Sequence, residues 1–224
     1  MKTTFARMRD NKNPEINHLL EDLLKMIDDA KPEDLAKKDF AYLGPAYRYF
    51  EKVISDPTLA KQGHLLTARW HAVQSIYKVF LHMQAQGYWP NIFPLENYLP
   101  TGDKEIQERF LIQSDTPPEM KAEVLSQYAQ ELSELQKTGR QNHRILFFDD
   151  DPKNVIATRD VFIERQSQGA WPKVDLYIAY LNPRRKMKDV MPEFMKISSQ
   201  GKLTAISNEK FFEIFVKTCD LYLK

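Results

Sequence analysis

The chain has 224 residues, of which 42% are hydrophobic and 28% are charged, a composition typical of globular proteins. Its 32 basic residues nearly cancel its 31 acidic ones, so no overall electrostatic field favours nucleic acid or an anionic membrane surface. Cys219 is the only cysteine, which excludes an internal disulfide, and no apolar run approaches the ~18 residues of a membrane span. We expect a cytoplasmic protein, with delivery by a specialised secretion route left open.

The first part of the chain is predicted to be helical. Asn13-Pro14 begins a helix whose apolar residues recur at the spacing of one helical face, and Gly44-Pro45 introduces another. A longer helix is predicted over residues 64–86, where Gly87 ends it. These segments predict an antiparallel helical layer.

Residues 87–103 are rich in aromatic residues and proline. Flexible linkers are rich in glycine and serine instead, so we expect an ordered, packed connection here. The aromatic residues are Tyr88, Trp89, Phe93 and Tyr98, and the prolines are Pro90, Pro94 and Pro100. We place a boundary here, between a helical region at 1–103 and an α/β region at 104–224, which could still form one continuous domain.

The second region alternates helical and strand patterns. Residues 109–113 could form a strand or the end of a helix that begins near Lys104, because periodicity does not separate the two at this length. Strands are predicted at 144–149 and 174–180. Helices are predicted to begin at Pro117, Pro152, Pro183 and Asn208. The strand–helix–strand order over 144–181 predicts a parallel, right-handed crossover.

Three consecutive carboxylates, Asp149, Asp150 and Asp151, follow the first of these strands directly. Open α/β folds place their chemistry at the carboxyl ends of strands, and Mg²⁺ takes one or two carboxylate oxygens while keeping much of its water. The turn is therefore a candidate divalent-metal site. The alternative is a solvated turn in which Asp151 caps the helix that Pro152 begins.

This block, Ile145 to Asn154 with the following helix and strand, resembles the last metal-binding motif of the haloacid-dehalogenase-like (HAD) superfamily. The resemblance covers about residues 109–182. It implies an Mg²⁺ site at Asp149 and Asp150, with Asp151 in support and Asn154 fixing the turn.

The resemblance also implies a phosphate site upstream of the acidic turn. Lys121 begins a helix where the family usually places a phosphate-neutralising lysine, and residues 110–114 look like a strand ending in the family's phosphate-binding Ser114 or Thr116. The ordinary alternatives are a surface lysine at 121 and a helix-cap or turn residue at 114.

One part of the family pattern is missing. HAD phosphatases carry a nucleophilic aspartate at the end of their first strand, but no apolar strand ending Asp-x-Asp precedes residue 109. The family assignment is then partial, or the chain is a catalytically inactive relative, or it is a fragment. A second resemblance, to receiver domains, rests on Asp189-Val190-Met191-Pro192 and is disfavoured by the charged residues at 184–188.

We therefore predict an α-dominated α/β fold, a helical N-terminal layer packed on a small parallel HAD-like sheet. The leading hypothesis is a non-catalytic binding or regulatory protein, a pseudo-phosphatase that acts on a protein partner and not on nucleic acid or a membrane, with an optional Mg²⁺ ion. The alternatives are an active Mg²⁺-dependent phosphohydrolase and a helical interaction module.

Overall fold

The computed structural model describes residues 47–68, 73–85, 87, 89–135, 142–181 and 192–223. The chain divides into two compact units, Met1–Asp103 and Lys104–Lys224. Each unit contains helices and a β-sheet, so the protein is of the mixed α/β class. Among the described residues, we find no helix whose length and hydropathy would let it span a lipid bilayer.

Unit 1 combines helices with a short parallel sheet. Its strands β1 and β2 pair from Leu65 opposite Tyr98 to Thr67 opposite Pro100. In chain order the described elements are α1 (Tyr47–Ile54), α2 (Pro57–Ala60), β1 (Leu65–Thr67), α3 (Val73–Ala85), a 3₁₀ turn (Leu95–Asn97) and β2 (Tyr98–Pro100).

The sheet of unit 1 corrects the prediction of a purely helical first region. Residues 65–67, placed in a helix by their apolar pattern, are extended because they pair with β2 more than thirty positions away. The helix itself begins at Val73, not at residue 64. The helix that Gly44-Pro45 introduces is confirmed as α1, whereas the helix predicted to begin at Asn13-Pro14 lies outside the described residues.

Aromatic side chains form the core of unit 1. Phe93 is 5% exposed and Tyr98 is fully buried, which confirms the prediction of a packed connection. The Phe80 ring lies 4.9 Å from the Tyr98 ring, and the Phe50 ring lies 5.0 Å from the Trp89 ring, both distances between centroids. Edge-to-face contacts of this kind add to the stabilisation that apolar burial alone provides.

Unit 2 contains a mixed four-stranded sheet in the order β3-β4-β5-β6. Strands β3 and β4 are parallel, as predicted, but the pairs β4–β5 and β5–β6 are antiparallel, so the prediction of a wholly parallel sheet is wrong. The elements are α4 (Lys104–Arg109), α5 (Pro117–Leu135), β3 (His143–Asp149), α6 (Pro152–Ser167), β4 (Val174–Tyr180), β5 (Phe194–Ile197), β6 (Leu203–Ala205) and α7 (Asn208–Tyr222).

The predicted strands at 144–149 and 174–180, and the helices that begin at Pro117, Pro152 and Asn208, are confirmed. Strands β5 and β6 were not predicted. The helix expected at Pro183 and the receiver-like segment at 189–191 lie outside the described residues.

Helices cover both faces of this sheet. Phe148 of β3 contacts Phe211 and Phe215 of α7, with ring centroids 5.6 and 6.1 Å apart. Asp149, the next residue along β3, contacts Lys121 of α5. Successive side chains of a strand point to opposite faces, so α5 and α7 lie on opposite sides of the sheet.

The strand implied by the HAD resemblance at residues 110–114 is absent. Instead, α4 ends at Arg109, and Leu111 adopts the left-handed conformation with φ of 50°. The Leu111 N–H donates to the Glu108 carbonyl at 3.3 Å and the Ile112 N–H donates to the Gln107 carbonyl at 2.9 Å. This is the hydrogen-bond pattern of a Schellman helix end, which satisfies the last carbonyls of α4 and turns the chain away.

Candidate functional site

The acidic turn joins the carboxyl end of β3 to the first turn of α6. Asp151 is the N-cap of α6, and its Oδ1 accepts a hydrogen bond of 2.9 Å from the Lys153 N–H. Pro152 follows at the first helical position, where the missing N–H costs no hydrogen bond. The capping role expected for Asp151 from the sequence is therefore present.

The carboxylate of Asp149 is buried and accepts four hydrogen bonds. Oδ1 accepts from the Asp151 N–H at 2.8 Å and from Asn154 Nδ2 at 3.0 Å. Oδ2 accepts from Lys121 Nζ at 2.6 Å and from Asn154 Nδ2 at 3.1 Å. An ionised carboxylate offers about four lone-pair sites, so the described donors fill its capacity.

Lys121 and Asp149 form a buried ion pair. Their side chains are only 7% and 5% exposed. Lys121 lies in the first turns of α5, and Asp149 ends β3, so the packing of α5 on this face of the sheet brings the two charges together. Burying either charge alone is costly, and the pair with its hydrogen bonds offsets that cost.

Asp150, unlike Asp149, is exposed at the same turn. Within the described part of the chain, no three side chains of His, Cys, Asp or Glu are placed to hold a metal ion together. The Mg²⁺ pair implied by the resemblance would therefore consist of one buried and one exposed carboxylate, with water as the remaining ligands.

The residues expected to bind phosphate face carboxylates. Ser114 Oγ donates to Glu123 Oε1 at 2.9 Å, and the Ser114 and Gln113 N–H groups donate to Glu123 Oε2 at 3.3 and 3.0 Å. Thr116 Oγ1 donates to Glu119 Oε2 at 2.7 Å, three positions on, at the N-terminus of α5. Glu123 and Glu119 place negative charge beside these hydroxyls, which disfavours a phosphate there.

A second ion pair, not anticipated from the sequence, lies at the opposite end of the sheet. Lys196 Nζ of β5 is 2.7 Å from Asp175 Oδ2 of β4, and Asp175 Oδ1 accepts from the Ser199 N–H at 3.0 Å. Asp175 lies near the start of β4, whereas Asp149 ends the parallel strand β3. Lys196 Nζ also lies 5.5 Å from the centroid of the Tyr177 ring.

No protein-family model, curated protein or solved structure matches this chain. The fold and this site define the protein as a mixed α/β protein with a buried lysine–aspartate–asparagine cluster at the carboxyl end of β3.

Proposed function

We propose that this protein is a HAD-like binding or regulatory protein that acts on a protein partner and has no phosphatase activity of its own. The observation that carries the proposal is the state of Asp149. Its carboxylate is fully engaged by Lys121, Asn154 and the Asp151 N–H, as a structural anchor would be.

The neighbours of β3 support the same proposal. A nucleophile that shares a metal with Asp149 would have to come from the carboxyl end of an adjacent strand. Strand β4 ends at Tyr180, and within the described ranges of unit 2 no strand pairs with the other edge of β3. Covalent phosphoryl transfer needs a nucleophile at that position.

The second candidate is an active Mg²⁺-dependent phosphohydrolase of the HAD type. One observation favours it: Lys121 and Asp149 meet at one end of the sheet, as the resemblance implies for a lysine beside an acidic metal site. In this alternative, Mg²⁺ at Asp149 and Asp150 would supply charge neutralisation for a phosphate, and Lys121 would turn from Asp149 towards it.

A phosphomonoester assay separates the two candidates. We expect the wild-type protein to give no Mg²⁺-dependent turnover of p-nitrophenyl phosphate above that of Asp149→Asn. The Asp160→Asn variant, which makes the same change at an exposed carboxylate of α6 away from the acidic turn, serves as the matched control. Turnover that requires Mg²⁺ and is lost in Asp149→Asn but kept in Asp160→Asn would establish the phosphohydrolase instead.

The proposed protein partner finds support at the end of α7. Leu221, Tyr222 and Leu223 are 50%, 46% and 46% exposed, three large apolar residues in succession. Several large apolar side chains exposed on one short segment are more typical of a surface that binds another protein than single ones, which are common everywhere.

Proximity labelling in the native host tests the partner. We expect Leu221→Asp/Leu223→Asp to lose a defined labelled protein that wild type and Leu135→Asp both retain. Leu135 is 70% exposed on α5, so its substitution matches the change in charge and hydrophobicity at another surface. The same labelled proteins from all three, each folded by circular dichroism, would exclude this surface as the partner site.

A further inference from the structure

The filled carboxylate of Asp149 bears directly on metal binding. Mg²⁺ coordinates oxygen directly at about 2.0–2.1 Å and needs a free lone pair on each ligand. Both Asp149 oxygens already accept two hydrogen bonds each. In the described arrangement, an Mg²⁺ ion therefore has no direct coordination position on Asp149 unless one donor leaves.

The donors differ in how readily they leave. The Asp151 N–H belongs to the backbone at the N-cap of α6, and Asn154 lies in the first turn of the same helix, so both are fixed by that helix. The Lys121 ammonium ends a flexible four-carbon side chain that comes from another element, α5. It is also the donor that a divalent cation at the same oxygen would repel.

We propose that the Lys121 ammonium and a divalent cation compete for Asp149. Lys121 is the resident cation of the acidic turn, and the turn takes up Mg²⁺ only when Lys121 leaves it. The proposal rests on the HAD-like site described above, but it concerns the choice of cation and not the presence or absence of turnover.

The charges explain why removal of Lys121 would create a metal site. Without the ammonium, Asp149 would be a buried carboxylate that lacks a counter-ion, which is strongly unfavourable. A hydrated Mg²⁺ ion could restore the balance through the vacated lone pair on Oδ2, with the exposed Asp150 beside it in the turn.

Titration calorimetry with MgCl₂ tests the competition, with NaCl of equal ionic strength as the blank. We expect Lys121→Met to bind Mg²⁺ at least about tenfold more tightly than wild type, a difference that calorimetry resolves readily. The Lys153→Met variant, which removes an exposed positive charge from the same turn, should bind as wild type does. Lys121→Met/Asp149→Asn should lose the gain.

Two results would overturn the proposal. One is a folded Lys121→Met protein that binds Mg²⁺ no better than Lys153→Met. The other can be observed in the wild-type protein, should Lys121→Met not fold. In this result, the chemical shifts of the Asp149 and Asp150 amides change with added Mg²⁺ until binding is saturated, while the ¹⁵N signal of the Lys121 ammonium stays unchanged.

A Lys121 ammonium signal that disappears in step with Mg²⁺ binding, or spectra that respond to millimolar Mg²⁺ in Lys121→Met but not in the wild-type protein, would support the competition. Either outcome is independent of the phosphomonoester assay. A protein without turnover can fail the competition test, and an active one can pass it.

Discussion

The two buried carboxylates of the unit 2 sheet each pair with a lysine, and the two lysines differ in their access to water. Asp149 and Lys121 are 5% and 7% exposed, and three donors enclose the carboxylate through four hydrogen bonds, two of them from Asn154 Nδ2. Asp175 is 7% exposed, but its partner Lys196 is 32% exposed. The first pair is enclosed between α5, α6 and the sheet, whereas the second opens to solvent through its lysine.

The difference shows that the contribution of each ion pair to stability depends more on the burial of its lysine than on the distance between the two charges. The two N–O distances are nearly equal, 2.6 and 2.7 Å. A half-exposed lysine keeps part of its hydration and its attraction is screened, whereas an enclosed one depends on its carboxylate. Only the enclosed pair lies at the carboxyl end of β3, where a ligand would be expected.

The largest expected effect comes from removing the enclosed lysine. Lys121→Met should lower the free energy of unfolding of unit 2 by about 3–5 kcal/mol, because it leaves Asp149 buried without a counter-ion. Lys196→Met should cost only about 1 kcal/mol, since water reaches that pair. Urea unfolding monitored by hydrogen exchange at the β3 and β4 amides would measure both within unit 2.

A double substitution provides the control for this difference. In Lys121→Met/Asp149→Asn both charges are gone, so much of the stability lost in the single variant should return. The enclosed-pair account fails if Lys196→Met costs as much as Lys121→Met, or if the double variant is no more stable than Lys121→Met.

The smallest expected effect is a pH dependence of the free energy of unfolding that comes from the partly exposed pair of Lys196 and Asp175. Burial lowers the pKa of Lys196, but its hydrogen bond to Asp175 and the Asp175 charge outweigh burial and raise this pKa above 10.5. Because the pKa of Lys196 is raised in the folded state, the protonated lysine contributes its full stabilisation below pH 10.5. This contribution is lost as the pH rises above 10.5 and through the raised pKa. The expected loss is ~0.5 kcal/mol at most.

Unfolding curves on both sides of that pH would detect the change. Asp175→Asn should flatten this part of the stability profile, while Tyr177→Phe should keep most of it, because Asp175 is the stronger influence on Lys196. Profiles of wild type and Asp175→Asn that fall in parallel would exclude the pair as the source. Burial raises the pKa of Tyr128 to about 12, so Tyr128→Phe should accompany both variants as an alkaline control.

Local signals account for the elements that the sequence predicted correctly. An apolar run ending at Asp149, followed by Asp151 as cap and Pro152 at the first helical position, specifies a strand and a helix within a few residues. Strands β1, β5 and β6 are three or four residues long and owe their extended form to distant partners. Periodicity over so few residues cannot distinguish a strand from a helix.

The candidate site was predictable only in part, for the same reason. The acidic turn could be found because its residues are adjacent in sequence. The contact between Lys121 and Asp149 depends on how α5 packs against β3, which no local pattern encodes. No sequence pattern marks Glu123 as the acceptor of the Ser114 hydrogen bonds, because a glutamate on a helix is ordinarily a solvated residue.

The enclosed ion pair also has a consequence for how unit 2 folds. Its two charges are 28 positions apart in sequence, and neither tolerates burial alone. A partly folded state with β3 and β4 paired but α5 detached would keep the Asp149 carboxylate open to water. We therefore expect α5, β3 and the first turn of α6 to form one cooperative folding unit, whose amides become protected from exchange together.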